Sequence, residues 1–99
     1  MTEEDPGFAP PPFNVVEGLQ KLQRELRALG LNERQGSFER RGQVLVQAAL
    51  EDGRLQVSVA KRPARSPEWQ HRELRSGADL RDLLADLKKR LAQWNERDD

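Results

Sequence analysis

A chain of 99 residues, with 17 basic and 17 acidic side chains, has room for one domain and carries no net charge. That balance removes any global electrostatic pull toward nucleic acid or an anionic membrane. The absence of cysteine excludes disulfides, thiolate metal sites and thiol nucleophiles, and fits a reducing cytoplasm.

Residues 1–13 (MTEEDPGFAPPPF) read as an acidic, proline-rich arm. Glu3, Glu4 and Asp5 are its only charges, and the prolines at 10, 11 and 12 offer no amide donors for regular structure. An aromatic groove that takes polyproline ligands is one conceivable receptor; an uncommitted tail is the simpler reading. The acidic start lacks the basic-then-apolar pattern of a secretory signal. No apolar run reaches the roughly 18–20 residues that span a bilayer, so a cytoplasmic location is expected.

A helix is expected from Asn14, a capping residue with Glu17 three positions later. Val15, Leu19, Leu22, Leu26 and Leu29 recur at alternating spacings of four and three and make one apolar stripe. Gly30 supplies a left-handed stop, and Leu31 is positioned to fold back on Leu26. A short strand follows from Gln35 to Arg41 around Phe38, with Gly42 as the bend out of it.

Residues 43–61 form a tight β-hairpin closed by Asp52-Gly53, the pair preferred where both central residues need φ > 0. That turn sets Glu51 opposite Arg54, Leu50 opposite Leu55, Ala48 opposite Val57 and Val46 opposite Val59. The alternate pairs, Ala49–Gln56, Gln47–Ser58 and Leu45–Ala60, fall on the second face. A slip of one residue would set apolar side chains against polar ones, so turn chemistry and pattern agree.

The KRPARSP stretch, 61–67, interrupts the sheet because two prolines cannot serve a central strand. Residues 68–74 are a possible fourth strand, with Trp69 and His71 on one side and Gln70 and Arg72 on the other. The last helix is capped by Ser76 with Asp79 at the reciprocal position. Its apolar face is Leu80, Leu83, Leu84, Leu87, Leu91 and Trp94, with acids toward its start and bases toward its end.

The expected fold is a two-layer α+β domain over residues 14–95. A three- to four-stranded antiparallel meander carries an N-terminal and a C-terminal helix on one face, and residues 96–99 form a frayed tail. Val46, Ala48, Leu50, Leu55, Val57 and Val59 then lie under the two leucine stripes.

The order helix, three strands, helix resembles that of double-stranded-RNA-binding domains. That family places lysines at the start of its last helix, where this chain reads Ser76-Gly77-Ala78-Asp79 and would repel phosphates. The order is also similar to that of the dimeric YbaB-like nucleoid-associated proteins, whose glycine-containing strand signature is absent. No family is assigned on these grounds.

Catalytic equipment is thin. His71 is the single histidine, and no nucleophile elbow, phosphate loop, dinucleotide fingerprint or HExxH stands in the sequence. Asp79, Asp82 and Asp86 sit at helical spacings and read as a solvated, dipole-matched surface rather than a metal site. No enzyme activity, cofactor, metal or small-molecule substrate is expected. The first candidate site is the hairpin's second face, Leu45, Gln47, Ala49, Gln56, Ser58 and Ala60, a surface of small uncharged side chains that, like an uncovered edge strand, suits a protein partner or a second copy. The alternative is weak nucleic-acid binding by Lys61, Arg62, Arg65, Trp69 and Arg72, with cations on phosphates and an aromatic stacked on a base.

Overall fold

A computed structural model describes residues 13–97, with side-chain surroundings through Trp94. Helix α1 (Val15–Ala28) is followed by five strands, β1 (Asn32–Arg34), β2 (Ser37–Arg40), β3 (Gln43–Glu51), β4 (Arg54–Ala60) and β5 (Trp69–Leu74), and by helix α2 (Gly77–Arg97). The strands lie side by side in chain order, each antiparallel to the next. Both helices pack on one face of this α+β meander, α1 over β3 and β4 and α2 beside it toward β5. Residues 1–12 of the expected arm lie outside the described residues, as do 98 and 99, while α2 runs on to Arg97.

The ends of α1 follow its sequence. Asn14 Oδ1 accepts from the Val16 and Glu17 amides at 3.0 and 3.1 Å. At the other end the Gly30 amide donates to the Arg27 carbonyl and the Leu31 amide to the Leu26 carbonyl, the paired bonds of a Schellman ending. Leu31 and Leu26 are both buried, which supplies the accompanying apolar contact. Ser76 Oγ accepts from the Asp79 amide at 3.1 Å and starts α2, while Asp79 Oδ2 accepts from the amide of Arg75.

Three two-residue turns build the meander. Gln35-Gly36, Arg41-Gly42 and Asp52-Gly53 all have φ between 51° and 84°, so each turn keeps both central residues left-handed and matches the twist of its strands. The first of them takes the opening two residues of the segment read as a strand, 35–41, and pairs the rest of it with a strand ahead of it, β1, so the sheet has five strands. β1 is three exposed polar residues with no apolar signature.

The core is continuous between the sheet and the helices. Leu22 and Leu26 of α1 and Leu80, Leu83, Leu84, Leu87, Leu91 and Trp94 of α2 meet Phe38, Val46, Leu55, Val57, Val59 and Leu74 of the sheet. Ala48 is half-buried. Leu50, expected beneath the helices, is 39% exposed near the hairpin tip, where residues 49–54 are all exposed, although Leu55 opposite it is buried. Phe13 packs against Gly18 at the start of α1 and extends the core by one ring.

Candidate functional site

Cross-strand partners share a face, so the register assigns every strand residue to the helices or to the open side. The rows Val46–Val59–Gln70, Ala48–Val57–Arg72 and Leu50–Leu55–Leu74 face the helices. The rows Ser37–Gln47–Ser58–His71 and Ala49–Gln56–Glu73 face away from them. Along that open side runs a groove of about 470 Å³, whose floor is Gln47, Ala49, Gln56, Ser58 and His71 and whose end wall is the Gln35-Gly36 turn and Ser37. The turn is held there by the Ala48 amide, which donates to the Gly36 carbonyl at 3.0 Å.

Four of the six residues expected on the second face, Gln47, Ala49, Gln56 and Ser58, line this groove. Leu45 and Ala60 do not, being 1% and 0% exposed. For Leu45 the cause is a bulge. Phe38 pairs with Val46 but Glu39 pairs with Val44, which leaves Leu45 as an extra residue on β3. The insertion reverses the alternation, so Leu45 enters the core beside Val46 and Val44 takes the open side. Ala60 keeps its parity but lies opposite Trp69, and its methyl is fully buried beside that half-buried indole.

The basic segment does not share one side of the sheet. Lys61, Arg62 and Arg65 are exposed in the β4–β5 loop, which the Lys61 amide closes on the Glu68 carbonyl at 2.9 Å. β5 places Trp69 on the open side and Arg72 on the helix side. Arg72 is bound to Asp86 of α2 at 3.1 Å, and Asp86 also holds Arg90 at 3.1 Å. Arg90 in turn donates to Gln70 Oε1 at 2.6 Å and to the Ala60 carbonyl at 3.3 Å. Arg72 therefore fastens α2 to the sheet edge.

His71 belongs to the groove although its residue type alone gave no reason to place it there. Ser58 and His71 are opposed across β4 and β5, and Ser58 Oγ and His71 Nδ1 share a hydrogen bond of 2.7 Å. Setting residues 68–74 against the hairpin by its pairing pattern was the signal that would have found it. Among the described residues no carboxylate is hydrogen-bonded to the His71 ring, and no group of three or more His, Asp or Glu side chains is placed to hold a metal ion. What the groove offers is amide, hydroxyl and imidazole groups and the Glu51 carboxylate, suited to a polypeptide's hydrogen bonds.

No helix among the described residues is long and apolar enough to cross a membrane. Comparison with protein-family models, with curated proteins and with solved structures finds no match for the chain.

Proposed function

We propose that this chain is a small non-enzymatic protein-interaction domain, that the open side of its sheet and an edge strand form the contact surface, and that a second copy of the chain is one partner. The observation that carries the reading is the placement of both helices on one face. Among the described residues no helix covers the other side, whose groove is polar and carries one charged side chain, Glu51. A polypeptide laid on Gln47, Gln56, Ser58 and His71 finds donors and acceptors, with Glu51 the one charged side chain lining the groove.

Ser58 and His71 serve here as hydrogen-bonding groups of the surface. A nucleophile and base would need a third group orienting the ring, and among the described residues no side chain besides Ser58 is hydrogen-bonded to it. Nucleic-acid binding draws less support. Its basic residues are reduced to Lys61, Arg62 and Arg65, and Arg72 is turned to Asp86. The cysteine-free composition suits a cytoplasmic setting.

Light scattering over a wide concentration range, with amide chemical shifts followed in parallel, tests the reading. The expected result is self-association or partner binding that moves the resonances of Gln47, Ala49, Gln56 and Ser58. A monomer at every concentration, with those resonances fixed on adding candidate partners, contradicts it.

A further inference from the structure

We propose that β5 pairs antiparallel with β5 of a second copy, with His71 on the two-fold axis, and so joins the two meanders into one continuous sheet. The inference rests on the protein-contact reading and specifies which surface meets the second copy and in what register.

The two edges of the sheet differ. β1 is three residues long, exposed and polar, and its Glu33 is tied to Arg27 at 2.8 Å. Short charged edges of this kind resist strand addition. β5 is six residues long, with no proline and no bulge. Its one core-facing charge, Arg72, is neutralised by Asp86 on the helix side and leaves the edge unguarded.

The hydrogen-bond phase of that edge can be read from the structure. The Lys61 amide donates to the Glu68 carbonyl, and strict alternation along the ladder then makes Val59–Gln70, Val57–Arg72 and Leu55–Leu74 the bonded pairs. Trp69, His71 and Glu73 are the non-bonded partners, whose backbone N–H and C=O groups point out of the sheet. The close side-chain approach of Ser58 and His71 is what a non-bonded pair gives. No described residue outside the ladder bonds to these outward groups.

A two-fold through His71 sets His71 opposite its copy and Trp69 opposite the copy's Glu73 in both directions. All three outward residues are then paired, each pair exchanging two N–H···O bonds. On the helix side the same register sets Gln70 opposite the copy's Arg72, an amide against a guanidinium. A slide of one step toward Leu74 sets Trp69 opposite the copy's Arg75, which lies beyond the strand. A slide of one step toward Trp69 leaves Glu73 without a partner. The backbone hydrogen bonds therefore select one register. In it the two open-side grooves, each bordered by its own His71, become neighbours across the axis.

Because the chain has no cysteine, single-cysteine variants report contacts without interference. His71→Cys is expected to form a covalent dimer under mild oxidation, since bonded antiparallel partners have Cα atoms about 5.5 Å apart, within disulfide range. Ser58→Cys, one strand inward, is expected to stay uncrosslinked. His71→Pro removes an outward N–H that the β4 ladder does not use and is expected to weaken dimerisation about tenfold or more. Crosslinking through Ser58→Cys with none through His71→Cys, or a dimer of undiminished affinity in His71→Pro, overturns the edge pairing while leaving self-association intact. A wild-type chain that stays monomeric throughout overturns both.

Discussion

Replacing Leu45 by alanine tests the bulge that divides core from open surface. Leu45 is 1% exposed and belongs to the same core cluster as Phe38, Val46 and Val59. Truncating a buried leucine costs about 2–5 kcal/mol, the transfer of the lost carbons plus the cavity left behind. A domain of this size has a total stability of roughly 4–13 kcal/mol, so the loss is a large fraction of it. At the lower end, a loss of about 2 kcal/mol lowers the melting temperature by roughly 8–16 °C. Urea denaturation at one fixed protein concentration measures it. Val44→Ala is the control, because Val44 is half-buried on the open side and is expected to cost under about 1.5 kcal/mol. With an unbroken alternation the two positions would exchange roles. A Leu45→Ala cost below about 0.5 kcal/mol beside a Val44→Ala cost above about 2 kcal/mol would refute the bulge.

Asn14→Ala is expected to destabilise by about 1 kcal/mol because two amides of α1 lose their acceptor, and Asn14→Asp is expected to restore most of it; thermal melts decide. Gly53→Ala carries the strain of φ +73° alone, about 1–2 kcal/mol. Gly36→Ala adds a Cβ at 3.2 Å from the Ala48 carbonyl to φ +84°, so chemical denaturation is expected to rank it as the costlier variant. Arg62→Glu combined with Arg65→Glu is expected to leave self-association unchanged in sedimentation, since both side chains lie in the β4–β5 loop, outside the paired residues of β5 and the lining of the groove.

What the sequence made legible follows from the strength of its local signals. Asp52-Gly53 announces a turn, and the pairing it dictates is observed from Glu51–Arg54 to Val46–Val59. The Gly30 ending of α1 and the apolar face of α2 were equally plain, since a stop residue and six apolar residues on one face each have a single physical use. Gln35-Gly36 and Arg41-Gly42 make turns of the same sign, but glutamine and arginine enter the left-handed region at a cost and do not advertise it. β1 went unread because none of its three residues is apolar. Leu45 was misplaced because a bulge depends on the neighbouring strand, which period-two alternation within one strand cannot register. Of the candidate surface, the part flanked by regular pairing (Gln47, Ala49, Gln56 and Ser58) was readable, and the parts set by the bulge and by β5 were not.

Backbone amide exchange along β5, compared between dilute and concentrated protein, tests most directly whether this sheet edge is a site of protein contact. The amides of Gln70, Arg72 and Leu74 bond to β4 and are expected to be protected at both concentrations. Those of Trp69, His71 and Glu73 are expected to exchange rapidly in dilute protein and to become protected as concentration rises. Rapid exchange of these three at every concentration, in a protein that nevertheless self-associates, would contradict the edge pairing. Without self-association or any partner, the same result would contradict the contact surface as well.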